Sequence, residues 1–125
     1  MIIGIGTDIT SIQRIEKAVV RFGERFIKKV FTEDEASYCK GKKEQAIHLA
    51  ARFAAKEAIL KALGTGISKG IGFKDVEVAR EPGKRPEARL NGKAKDVAES
   101  LGVKNIHLSI SHDSGLAAAF AVIEG

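Results

Sequence analysis

The chain has 125 residues, 44% of them apolar and 30% charged, with a net charge of +5. That length suits one domain over 1–125, and the composition excludes wholesale disorder. No apolar run approaches the roughly 20 residues a membrane-crossing helix requires, and the single Cys39 excludes an internal disulfide, a CxxC redox pair or a zinc–thiolate cluster.

In chain order, Ile2 to Ile9 reads as a short buried strand rich in β-branched residues and ending at Asp8. Thr10 or Ser11 caps a helix to about Phe22, with Ile12, Ile15 and Val19 on its inner face. Gly23 interrupts, and Glu24 to Phe31 forms a short basic helix. Thr32-Glu33-Asp34-Glu35 is a capping box that opens a helix ending near Gly41. The longest helix spans about Lys43 to Leu63, is stopped by Gly64, and reaches about 30 Å. A glycine-rich stretch, Gly64 to Gly72, follows. Phe73 to Ala79 and Glu87 to Leu90 are strands joined by the turn Glu81 to Pro86. Gly92 to Leu101 is a helix closed by Gly102. Ile106 to Ser111 and Leu116 to Ile123 are strands joined by His112-Asp113-Ser114-Gly115. Helices first and paired strands later give an α+β fold, with a mainly antiparallel sheet packed against a long central helix. The first residues lack a basic n-region, and the expected location is the cytoplasm.

Charge placement on the long helix is the main clue. At about 100° per residue, Leu60, Phe53, Ala46, Ala50 and Ala54 share one apolar arc. Glu57 lies inside that arc and Lys61 just beyond it, while Arg52 and Lys56 fall outside, near one edge. A solvated i,i+4 pair is worth about 0.3–0.5 kcal/mol. A carboxylate on a core-facing stripe costs on the order of several kcal/mol unless well paired. A metal or polyphosphate in a cleft would offset that cost. Asp8, after Gly4 and Gly6, suits either close approach to a ligand or a helix N-cap.

Other signals are weaker. Position 9 is Ile rather than a third glycine, which rejects a dinucleotide-binding fingerprint. Ser68 before Lys69 rejects a Walker loop, although glycine-rich backbone beside Lys61 and Lys69 suits a phosphate cradle. Ser109, Ser111, His112 and Asp113 cannot form a triad among themselves, because neighbours on a strand face opposite ways. Asp113 suits a turn cap, and His112 a core or phosphate contact. His48 and His107 have no metal-ligand spacing and read as structural. Arg14, Lys17 and Arg21 share one helical face in a basic segment that continues through Arg25, Lys28 and Lys29. That face is either solvated or a dock for an acidic helix.

Gly4-Ile5-Gly6-Thr7-Asp8 together with Phe53-Ala54-Ala55-Lys56-Glu57-Ala58-Ile59-Leu60-Lys61 resembles the holo-acyl-carrier-protein synthase family, the small bacterial branch of the 4′-phosphopantetheinyl transferases. The second motif fits the pattern [W/F]-x-x-K-E-A-x-x-K at every fixed position, and Gly64-Thr65-Gly66 follows as in relatives. The resemblance implies transfer of 4′-phosphopantetheine from coenzyme A to a serine of apo-acyl carrier protein, in fatty acid biosynthesis. It implies Mg²⁺ held by Asp8 and Glu57, Lys61 on the phosphates, and Arg52 and His112 near the 3′-phosphate. Gly64, Thr65 and Gly66 would also touch coenzyme A. Relatives often read G-K-P in the loop after the first hairpin strand. Aligning on Pro86 puts Arg85 in the lysine position, so Arg85 and Pro86 are carried over as coenzyme A contacts. A homotrimer with active sites between subunits is implied too, with an acidic carrier protein on Arg14, Arg21 and Arg25.

In-line attack of a serine on a polyanion suits a hard dication with carboxylate ligands and needs no protein nucleophile. Glu57, Asp8 or a metal-bound water could each take the serine proton. The rival reading from charge alone is a small basic nucleic-acid-binding protein, for which six Phe, one Tyr and no Trp supply few stacking platforms.

Overall fold

The structure, a computed structural model, describes residues 1–68 and 70–125. Lys69, expected beside a phosphate cradle, lies outside the described residues. In chain order the elements are β1 (Ile2–Ser11), α1 (Ile12–Phe22), α2 (Glu24–Val30), α3 (Glu33–Lys40), α4 (Gln45–Leu63), a 3-10 turn (Phe73–Asp75), β2 (Val76–Ala79), β3 (Glu87–Leu90), α5 (Gly92–Leu101), β4 (Asn105–Asp113) and β5 (Leu116–Glu124). A three-stranded sheet runs β1-β5-β4 and a two-stranded sheet pairs β2 with β3, all antiparallel. The α+β expectation holds.

Local chemistry explains the boundaries. Ser11 caps α1 by accepting from the Arg14 amide at 3.3 Å, and Ile15 is buried with Ile12 and Val19 against the same cluster. The capping box forms, with Thr32 Oγ1 accepting from Glu35 N–H and Glu35 Oε1 accepting from Thr32 N–H at 2.8 Å. α4 ends at Gly64, whose left-handed φ of 81° suits glycine.

Four expectations need correction. β1 runs three residues beyond Asp8, because β5 pairs with it as far as Ser11–Leu116. It is also not buried on both faces: Gly4, Gly6, Asp8 and Thr10 face α4, while Ile9 on the outer face is 67% exposed. Phe73–Asp75 is a 3-10 turn rather than strand, held by Asp75 Oδ2 accepting from the Gly72 amide at 3.2 Å. The β4–β5 hairpin turns on Ser114 and Gly115 alone, both with positive φ, so His112 and Asp113 belong to β4 and Asp113 caps no turn.

α4 is the axis of the molecule. β1 and β5 pack along one side, α1 and α3 along others, and β2 closes the far side. The helix is therefore buried nearly all round its circumference. The arc drawn for one buried face misplaced two cations for this reason: Lys56 is fully buried and Arg52 only 4% exposed.

Candidate active site

The two glycines of β1 set the site's geometry. A Cβ on Gly4 would lie 2.0 Å from the Ala62 carbonyl oxygen, and one on Gly6 would lie 1.9 Å from that of Ala58. Only glycine lets this strand lie directly on the helix backbone. Side chains two apart share a strand face, so Asp8 follows Gly4 and Gly6 in the row that faces α4. Here it meets Lys61, one helical turn beyond Glu57.

Lys61 Nζ lies 3.2 Å from Asp8 Oδ1 and donates to the Thr7 carbonyl at 3.0 Å, while Thr10 Oγ1 donates to Asp8 Oδ2 at 2.8 Å. Lys61 stays half exposed, whereas Asp8 is largely covered. Glu57 is half-buried and forms no hydrogen bond or ion pair among the described residues. Burial pushes its carboxyl above the ordinary glutamate range, the Asp8 charge adds to the rise, and Lys61 opposes it. Asp8 and Glu57 line one cleft of about 260 Å³, with Arg14, Phe53 and Phe26 among its walls. Among the described residues no group of three or more His, Cys, Asp or Glu converges. Two acids at one cleft, only Asp8 of them paired with a cation, suit a hard dication that completes its shell from phosphate and water oxygens.

Arg52 sits elsewhere. Its guanidinium carbon stacks 4.1 Å from the Tyr38 ring centroid, Nη1 donates to the His48 carbonyl at 3.4 Å, and Nε is buried without a partner. It helps line a second cleft of about 230 Å³ with Tyr38, Arg80 and Arg89, and with the acids Asp34, Glu35, Glu77 and Glu81. His48 reports the local charge. Burial pulls its imidazole below the ordinary value, and Arg52, Lys42, His112 and Arg80 push the same way. Arg52, Lys42, Arg80 and His112 thus all lie near enough to His48 to disfavour its charged form, and the first three make this a cationic cluster. His48 precedes Arg52 by four on α4, a same-face spacing that is visible in the sequence.

The start of the glycine-rich loop is folded onto the end of α4. The Gly64 amide caps Lys61, and the Thr65 and Gly66 amides both donate to the Leu60 carbonyl, at 3.2 and 3.3 Å. These donors are spent on the helix end. The Thr65 hydroxyl is buried and without a partner among the described residues. Arg85 and Pro86 line a different groove, against Ile106 to Leu108 of β4, and the structure does not bring them to Asp8 and Glu57. Arg14 reaches the acid cleft, while Arg21 and Arg25 flank the exposed Phe22 at 5.1 and 6.0 Å. His107 is paired with Glu124 at 2.8 Å on the outer sheet face.

An acid notch with an ammonium beside it, set apart from a cationic cluster, suits work on one phosphate of a polyanion held by another. The class this fold and site define is a small α+β group-transfer enzyme. The chain belongs to the 4′-phosphopantetheinyl transferase superfamily, which matches residues 4–121. It is 46% identical over 124 residues to a holo-[acyl-carrier-protein] synthase of Koribacter versatilis, covering 99% of each chain. The crystal structure of holo-[acyl-carrier-protein] synthase from Neisseria meningitidis superposes with a TM-score of 0.90 at 36% identity, covering 100% of both chains. The Helicobacter pylori holo-[acyl-carrier-protein] synthase, solved in complex with coenzyme A, gives 0.84 at 38% identity, covering 96% of this chain and 99% of that one.

Proposed function

We propose that this chain moves 4′-phosphopantetheine from coenzyme A to a serine of apo-acyl carrier protein, releasing adenosine 3′,5′-bisphosphate. The observation that carries the reading is the meeting of Asp8 and Glu57 at one cleft, with Lys61 held on Asp8, in a chain whose relatives are synthases of that name throughout their length. The setting is cytoplasmic fatty acid biosynthesis; no helix of the described residues is long and apolar enough to cross a membrane.

Asp8 and Glu57 would hold Mg²⁺, which when bound supplies charge neutralisation and alignment at the reacting phosphate. Lys61 fixes the Asp8 carboxylate and presents its remaining proton to a phosphate oxygen. The Arg52 cluster takes the 3′-phosphate, which suits its buried unpaired Nε. The Thr65 hydroxyl, buried and unpaired just past the end of α4, would offer a hydrogen bond to the same polyanion. Arg14, beside the acid cleft, and Arg21 and Arg25 further along form the dock for an acidic carrier helix.

The outer face of the β1-β5-β4 sheet supports a homotrimer with active sites between subunits. It presents Ile5, Ile9, Leu116 and Phe120 to solvent, a continuous apolar patch of the kind that marks an interface. The nucleic-acid reading gains nothing, since Phe31, Phe53 and Phe73 are spent on internal packing.

The test is to mix the protein with apo-carrier protein, coenzyme A and Mg²⁺, and follow the carrier's mass. A phosphopantetheine-sized gain is expected; no gain on any of several carriers rejects the reading.

A further inference from the structure

Two buried charges stand outside the acid cleft. Lys56 Nζ lies 2.6 Å from Glu35 Oε1, donates to the Phe73 carbonyl at 3.1 Å, and donates also to the Val76 carbonyl. All three ammonium protons are used. Glu35 is equally satisfied: Oε1 accepts from the Thr32 amide and Oε2 from the Val78 amide, each at 2.8 Å. One carboxylate therefore joins the start of α3, the strand β2 and the middle of α4. The network continues outward, because Thr32 Oγ1 donates to Glu77 Oε2 at 2.6 Å.

Phe73 and Val76 bracket the turn where the chain returns from the glycine-rich loop. The loop's departure is tied to α4 by the Thr65 and Gly66 amides on the Leu60 carbonyl. Its return is tied by Lys56, about one turn earlier on the same helix. Burying an ion pair is a poor way to stabilise a fold, since desolvation offsets the attraction and apolar replacements are often neutral or better. What the pair does secure is geometry. Lys56 adjoins Glu57 in sequence, and Glu35 backs the wall of the cleft that Arg52 lines.

We propose that Lys56 and Glu35 are positioning residues for the transfer reaction, clamping the return of the glycine-rich loop onto α4 and so fixing Thr65 and the Arg52 wall for coenzyme A. This rests on the function proposed above. Neither residue lines the cleft of Asp8 and Glu57, so the clamp acts on binding of the nucleotide rather than on the chemical step.

Lys56→Met alone strands a buried carboxylate, so the decisive variant is Glu35→Gln with Lys56→Met, its folding checked by thermal unfolding. In the folded double variant KM for coenzyme A rises about tenfold or more, while kcat stays within about threefold and KM for the carrier is unchanged. A KM for coenzyme A within about twofold of the unaltered protein overturns the clamp, as does an equal loss in kcat. The unaltered protein gives a second reading that needs no turnover, by amide hydrogen exchange. The Thr65, Gly66 and Val78 amides are expected to exchange as slowly as those of Ala54 to Ile59. Exchange orders of magnitude faster would show that nothing clamps the loop. If the unaltered protein transfers no phosphopantetheine, the functional reading fails by itself, and the exchange pattern judges the clamp.

Discussion

Lys61 Nζ and Asp8 Oδ1 lie 3.2 Å apart across 53 positions of sequence, with the Thr7 carbonyl 3.0 Å from the same ammonium. The lysine thus anchors the strand's end of the cleft while its tip stays open to solvent. Lys61→Met keeps the stem and deletes the charge. It is expected to lower kcat by roughly 100-fold or more, the usual loss when one preorganised donor to a phosphate is removed. Steady-state assays at saturating coenzyme A read this; an unchanged kcat would confine Lys61 to holding Asp8.

Glu57→Gln should abolish transfer and yet stabilise the fold. The Glu57 carboxyl is raised in the folded state, by burial first and by Asp8 second. A raised acid contributes stability that is present below its unfolded pKa and lost as pH rises through its folded pKa. At neutral pH the glutamine variant is therefore more stable than the unaltered protein, and the two converge in acid. Thermal unfolding of the metal-free proteins from pH 3 to 8 checks the sign.

Gly6→Ala tests the contact between β1 and α4. The added Cβ would lie 1.9 Å from the Ala58 carbonyl oxygen and the Ala62 amide nitrogen is 2.8 Å from it, so backbone must shift. The expected cost is roughly 3 kcal/mol or more, the upper range of overpacking. Denaturant unfolding measures it, and a cost under about 1 kcal/mol would show that the strand can lift away.

His48 offers a titration of the cationic cluster. Its folded pKa is depressed, chiefly by burial and then by Arg52. That sign means its contribution to stability is complete above an unfolded value of about 6.5 and is lost as pH falls toward the folded value. Adenosine 3′,5′-bisphosphate, added to the protein, should raise the His48 pKa by bringing negative charge to the cluster. Imidazole proton shifts in NMR follow it; no change on saturation would place the 3′-phosphate elsewhere.

Phe120→Glu puts a charge in the middle of the outer sheet face, where Phe120 is 49% exposed and paired across from Thr7 and Ser109. If that face joins subunits, the variant elutes as a monomer in light-scattering chromatography while unfolding at a similar temperature. A unaltered protein that is itself monomeric would remove the trimer.

Much of the fold was legible in order and type. The Thr32–Glu35 capping box, the Gly64 stop and the α4 period are local, and local rules describe them. The Gly4-x-Gly6-x-Asp8 spacing also held its own answer, since three positions two apart must share a face. The strand beginning at Phe73 failed because Asp75 folds back on the Gly72 amide, and side-chain-to-backbone competition of this kind is hard to weigh in advance.

The sequence by itself determined which residues look along which side of each helix and strand, and so it brought Asp8, Glu57 and Lys61 into view. Tertiary structure decided how deeply each one lies. Lys56 reads as an edge residue yet is fully enclosed, because α3 and β2 close the side of α4 that a one-face arc assigns to water. Conversely Ile9 reads as part of a buried strand and stands exposed on the outer sheet face. Periodicity records direction from the helix or strand axis, whereas burial depends on what packs there from elsewhere in the chain.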